Sequence, residues 1–130
     1  MKKTQGFTVI ELVIVAVFAS LLFLLFFIQK GNLDAMSRDA DRKTAINAMY
    51  YALEEGYYKE HGYYPETISE ENITIIDPAL WTDPNGFNLG DALSDYSYEP
   101  ANCKEGKCKE YFLKAKLEKE DTYVKSNRRH

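Results

Sequence analysis

One run of 22 residues, Phe7 to Ile28, constrains this chain more than any other stretch: from Leu12 onward it is apolar apart from Ser20. As a helix rising about 1.5 Å per residue it reaches about 33 Å, against a hydrocarbon core about 30 Å thick. It is long enough to span a membrane. A secretory signal peptide is the competing reading, but its apolar region is usually about 7 to 15 residues, ends in a small-residue cleavage site and holds no acid. Here the polar break comes in front, and Glu11 lies inside the run.

An ionised side chain in a membrane-spanning helix costs about 2.5 to 3.5 kcal/mol even on insertion scales, so Glu11 requires compensation. A cut between Gly6 and Phe7 would supply it in two ways. Glu11 becomes the fifth residue of the shortened chain, in a first helical turn whose dipole favours an anion. Phe7 also gains an α-ammonium, mostly charged at neutral pH. Cation and anion then sit four residues apart within one chain, and the same pair between adjacent chains would fix their axial offset. The buried acid is better explained in an assembly than in a lone anchor.

Lys2 and Lys3, then Gly6-Phe7-Thr8-Val9-Ile10-Glu11, then the apolar span to about Ile28 resemble the class III signal of type IV pilins and type II secretion pseudopilins. Leader charge, glycine, aromatic, buried glutamate and span all occur in order. The resemblance implies that a prepilin peptidase cuts after Gly6 and N-methylates Phe7, and that Phe7 and Glu11 guide docking of identical subunits into a helical filament with the help of a pilus or secretion assembly machinery. It also implies an α+β fold, a long N-terminal helix packed on a small antiparallel sheet. The competing reading is a single-span anchored domain whose Glu11 faces some other partner.

The 130 residues suffice for one small domain behind the span and not for two of ordinary size. Residues 1–6 form the leader, 7–30 the transmembrane or filament-core helix, and 31–130 the head. Charge is uneven: residues 1–33 carry three Lys and one Glu, 34–103 four bases and fourteen acids, 104–130 nine bases and five acids. An acidic middle and a basic end can attract each other between stacked copies, or be an ordinary solvated surface. No stripe of basic and aromatic residues signals nucleic acid.

Lys2 and Lys3 precede the span and are expected to stay in the cytoplasm, placing everything after Lys30 outside, under oxidising conditions. Cys103 and Cys108 enclose Lys104-Glu105-Gly106-Lys107, a loop whose glycine can close a hairpin and bring the two Cα atoms within disulfide range. Zinc needs about four ligands, and only His61 and His130 remain to help.

Beyond the span, Leu33, Met36, Ala40, Ile46, Met49, Tyr50, Leu53 and Tyr57 recur at helical spacing, with Asp34, Arg38, Asp39, Asp41, Arg42, Lys43, Glu54 and Glu55 assigned to the other face. The helix is expected to continue over 32–61 and to end near His61-Gly62 with Pro65 beyond. The Gly62-Tyr63-Tyr64-Pro65 exit also resembles that of major pseudopilins. Family members can melt part of this helix near a proline, which is missing here. Tyrosines suit the helix end, covering it with apolar faces and polar tips.

Residues 62–93 read as a connecting loop, Ile73 to Ile76 being its only strand-like run, with Leu80, Trp81, Phe87 and Leu89 turned inward. Asp83, Asn85, Asn88 and Asp91 offer oxygen ligands as weak calcium candidates, although such residues are also turn formers. Asn72-Ile73-Thr74 matches a glycosylation sequon. From 94 to 125 the alternation of Tyr96 and Tyr98, then Tyr111, Leu113, Ala115 and Leu117, predicts an antiparallel meander with a third strand at Thr122 to Lys125. Residues 126–130 read as a mobile tail.

No P-loop, dinucleotide fingerprint or nucleophile elbow points to an enzyme, and no cofactor is implied. Two function classes remain: a filament subunit, either a pilin for adhesion, motility or DNA uptake or a secretion pseudopilin, and a monomeric membrane-anchored binding module. The cysteine hairpin leans towards the pilin. The precursor is expected as a single-pass inner-membrane protein with its head outside the cytoplasm, later part of an extracellular or periplasmic filament.

Overall fold

The computed structural model describes residues 6–128, so Lys2, Lys3 and His130 lie outside the described residues. These residues divide after Ala35 into two compact units. One helix, α1 (Val9–Tyr51), contributes to both.

In the first unit the helix starts at Val9 and not at Phe7, because Thr8 stops it from beginning earlier. The Thr8 Oγ1 accepts from the Glu11 N–H at 3.3 Å, and the Thr8 N–H donates to Glu11 Oε2 at 3.3 Å. That is a reciprocal capping box, with Thr8 as N-cap and Glu11 three positions on. Farther along, the Ser20 hydroxyl donates to the Val17 carbonyl at 2.8 Å, so the hydroxyl inside the apolar run is satisfied by its own helix. The apolar side chains of this run are exposed. The helix is long and apolar enough to cross a membrane.

The second unit is α+β. The later part of α1 runs into a π-helical turn (Ala52–Tyr57) and a last short turn α2 (Tyr58–His61), ended by Gly62 at φ 77 with its N–H on the Tyr58 carbonyl at 2.7 Å. A left-handed residue there is the usual helix stop, and glycine adopts it without a Cβ clash. Strands β1 (Tyr64–Pro65), β2 (Tyr96–Lys104), β3 (Lys107–Ala115) and β4 (Tyr123–Ser126) form one antiparallel sheet. β3 is central: β2 lies along one side, while β1 and β4 share the other, Tyr64 opposite Cys108 and Ala115 opposite Tyr123. Ile46, Met49 and Leu53 of the helix bury against Tyr64, Tyr96, Tyr111, Leu113 and Ala115 of the sheet. Helix and sheet each supply the apolar face the other lacks.

Several expectations change. The helix is not regular over 32–61: its ladder opens by one residue at Ala52–Tyr57, the signature of a π turn. The buried stripe runs Asp39, Arg42, Ile46, Met49, Leu53, spaced 3, 4, 3, 4, and Leu33, Met36 and Ala40 lie outside it, exposed. Asp39, Arg42 and Glu54, assigned to the polar face, are buried. Ile73 to Ile76 is a turn rather than a strand, with Ile73 and Ile76 dropped into the core. Trp81 is buried as expected, at the end of a 3-10 turn (Pro78–Trp81) that Asp77 caps through the Ala79 N–H at 3.0 Å. Leu80, Phe87 and Leu89 are half-buried. The third strand falls one residue later than expected, and the tail is no free end up to Arg128. The Asn127 Oδ1 accepts from the Tyr111 N–H at 3.3 Å and the Arg128 N–H donates to Glu54 at 3.0 Å.

Candidate functional site

The predicted processing and assembly residues lie together at the start of α1. Gly6, Phe7 and Thr8 precede the helix, and none of the described residues stands within 4 Å of where a Cβ on Gly6 would be. Glu11 shares its first turn with Val9 and Ile10, and Phe7 is 78% exposed. Among the described residues the Glu11 carboxylate accepts only the N–H and hydroxyl of Thr8, the latter at 3.4 Å. The geometry thus gives the acid a role inside its own chain. The signal for it was in the sequence: Thr-x-x-Glu ahead of an apolar run is the capping-box pattern.

Two further charged sites were not foreseen. The guanidinium of Arg42, 1% exposed, meets Asp39 at 3.0 Å, Asp95 at 2.9 Å and Glu118 at 2.8 Å. Arg38 holds Glu118 from outside with two bonds of 2.7 and 2.8 Å. Asp39 also accepts the N–H groups of Glu118 and Lys119 at 2.8 and 2.9 Å. Burial alone would raise the Asp39 carboxyl, but those two N–H groups and Arg42 outweigh it and hold the group below its ordinary range. The side-chain bonds from Arg38 and Arg42 hold Glu118 at about 2. Helix, loop and the segment after β3 are joined at this point. The pattern that locates it is the 3, 4, 3, 4 spacing, which puts Asp39 and Arg42 on the core stripe.

Glu54, 2% exposed, sits in the π turn. Its carboxylate accepts the hydroxyls of Tyr64 at 3.0 Å and Tyr111 at 2.8 Å besides the Arg128 N–H. Burial, then the bond to Glu54, push both tyrosines well above their ordinary value. Arg128 reaches back with its side chain to Glu55 and to the Tyr50 hydroxyl. A buried carboxylate held this way ties Arg128 to the helix.

Cys103 and Cys108 form a disulfide across directly opposed positions of β2 and β3. The hairpin loop is two residues, Glu105 at φ 55 and Gly106 at φ 79, the left-handed pair of a type I′ turn. The four oxygen-bearing loop residues build turns. Asp83 accepts the N–H groups of Asn85, Phe87 and Asp95 at 2.9, 2.9 and 2.8 Å, Asn88 accepts the Thr82 hydroxyl at 2.6 Å, and Asp91 accepts the Asn88 N–H at 2.9 Å. Asn85 donates to Asp95 at 3.0 Å. Among the described residues no cluster of three or more His, Cys, Asp or Glu side chains is placed to hold a metal. His61 stacks on Tyr57 with ring centroids 4.1 Å apart. The sequon's Asn72 spends its amide on the Thr67 carbonyl at 2.6 Å.

No protein-family model, characterised protein or solved structure matches this chain.

Proposed function

We propose that this chain is a structural subunit that polymerises through its N-terminal helix into a type IV pilus-like filament, serving adhesion, motility or DNA uptake. One observation carries the reading: an apolar helix with every large side chain from Phe7 to Ile28 exposed, and an acid in its first turn. Before assembly a bilayer covers that surface; in a filament, the same helices of neighbouring copies do. The prepilin peptidase cuts between Gly6 and Phe7 and methylates Phe7, and Glu11 offsets the Phe7 ammonium of an adjacent subunit. A secretion pseudopilin would use the same residues in the same way.

The second reading, a monomeric membrane anchor, is favoured by the Thr8–Glu11 box, which gives the acid a purpose without neighbours. Substitution separates the two. Glutamine at position 11 preserves a capping box but carries no charge. Sheared-filament yield and membrane-fraction protein are compared for wild type, Glu11→Gln and Glu11→Ala. The filament reading expects normal insertion in all three, filament yield reduced in Glu11→Gln and more so in Glu11→Ala, and wild-type filaments whose first residue is methylated Phe7 by mass spectrometry. Wild-type yield from Glu11→Gln leaves the acid as a helix cap with no part in docking, and a wild type that gives membrane-fraction protein but no filaments moves the assignment to the anchor.

A further inference from the structure

Arg38, Arg42, Lys43, Lys59, Lys114 and Arg128 each meet a carboxylate. Lys104, Lys107 and Lys109 meet none among the described residues, nor do Lys116 and Lys125, but only the first three stand together on the disulfide hairpin. They line an open groove of about 1010 Å³ whose other walls include Tyr58, Tyr63 and Arg128. Lys107 lies over the Tyr63 ring, 5.1 Å from its centroid. Arg128 is spent on Glu55, so three lysines face two acids there, Glu105 and Glu110, and Glu110 also accepts the Asn102 amide at 2.8 Å. The I′ turn and the disulfide fix the backbone from which the lysines project. An excess of cations on a fixed rim is built for an anionic partner.

The same chain carries one. Between Lys59 and Lys104 there is no Lys or Arg and there are nine acids. Asp95 is spent on Arg42, Glu99 on Lys114, and Asp83 on backbone N–H groups. Glu66, Glu70, Glu71 and Asp77 are exposed and make no ion pair among the described residues. Their loop is not loose. Ile68, Ile73 and Ile76 are sunk in the core, and the Asn72 amide clamps Thr67 to Ser69 through bonds of 2.6 and 2.8 Å. The carboxylates are therefore presented outward at little further entropic cost.

We propose that the lysine-rimmed groove of one copy receives the Glu66–Asp77 loop of a second copy of this chain. Among the described residues of one copy no ion pair joins the two surfaces, so the contact runs between copies. Because groove and loop are different patches, each bound copy offers a free groove or a free loop to the next, and a contact of that kind propagates unless it closes into a ring. The contact deepens the filament reading and rests on it for the assembly in which it operates.

The test uses the full-length chain, in membranes and in sheared filaments. Carbodiimide joins carboxylates directly to amines in contact, and mixing ¹⁴N- and ¹⁵N-labelled copies identifies links between copies. Links from Lys104, Lys107 or Lys109 to Glu66, Glu70, Glu71 or Asp77 of the other label are expected, weakening several-fold as ionic strength rises from about 0.05 to about 0.5 M. Lys104→Glu, Lys107→Glu and Lys109→Glu together should cut filament yield about tenfold. Adding Glu66→Lys, Glu70→Lys and Glu71→Lys to that chain should restore it, with an intact disulfide as the check on folding. Inter-copy links confined to other residues overturn the proposal, as does a lysine triple variant with undiminished yield. Protection of the lysines by an added anionic polysaccharide, with no link to the loop, overturns it in favour of a polymer ligand. Wild-type links in membranes without any filaments would sink the filament reading and leave the docking intact; filaments without these links would do the reverse.

Discussion

The two units answer the same physical demand differently. In the apolar part of α1, Thr8, Glu11 and Ser20 find partners three residues away. In the head, buried polar groups reach far: Arg42 to Asp95 across 53 residues, Glu54 to Arg128 across 74, Asp39 to the Lys119 N–H across 80. A helix long and apolar enough to cross a membrane could count, in lipid, only on its own turns. A water-surrounded head can bring distant segments together and let them satisfy one another. Local pairing leaves the helix self-sufficient; distant pairing makes the head a single interdependent piece.

The largest effect that would test this contrast is Arg42→Ala. Removing the cation leaves Asp39 and Asp95 without it, and breaking a buried ion pair costs about 3 to 5 kcal/mol. Thermal unfolding of the detergent-solubilised full chain, followed by near-ultraviolet dichroism of its tyrosines, should register that loss. A cost below about 1 kcal/mol, typical of exposed pairs, would break the contrast. The same network fixes the pH response. Asp39 and Glu118 are held below their ordinary values in the folded state, so their contribution is complete above the unfolded carboxylate pKa and is lost as pH falls. The midpoint should be flat above about pH 5, where unfolded carboxylates are ionised too, and should drop between there and about 2, where Glu118 titrates. Arg42→Ala should flatten that acid slope.

A local cross-link in the head should matter less. The disulfide closes a ring of only five residues' separation, for which loop entropy gives about 2 kcal/mol. Replacing Cys103 and Cys108 by serine should lower stability by that amount; a loss matching Arg42→Ala would show that local closure counts as much as distant pairing. The smallest effect belongs to the helix start. Thr8→Ala should cost about 1 kcal/mol and speed hydrogen exchange only at the first-turn amides, around Ile10 to Leu12, with the head's exchange untouched.

What the sequence made legible follows the same division. The apolar run, the Gly62 stop, the alternation through Tyr111, Leu113 and Ala115 and the cysteine hairpin all depend on neighbours within a few residues, and all appear in the structure. The reading of the Gly6 to Glu11 segment as a processing signal rests on neighbours in the same way. Periodicity failed where charge entered the core. Asp39 and Arg42 continue the stripe of Ile46 and Met49, but a reading that sorts residues by polarity sends them to the surface, since Asp95 and Glu118 cannot be seen from position 42. Glu54 was hidden likewise, as was the docking of Asn127 and Arg128. The pair Tyr64–Pro65 is too short to signal a strand and gains that state only by lying beside Cys108 and Lys107.

The bond from the Arg128 N–H to Glu54 also sets a schedule. Chains emerge from the ribosome at about 5 to 20 residues per second, so the 71 residues from the end of the π turn at Tyr57 to Arg128 take about 4 to 14 s. During that interval Glu54, Tyr64 and the helix face above them exist without the segment that completes their surroundings. A nascent head therefore waits with its central carboxylate hydrated, and it shuts only once Arg128 has appeared.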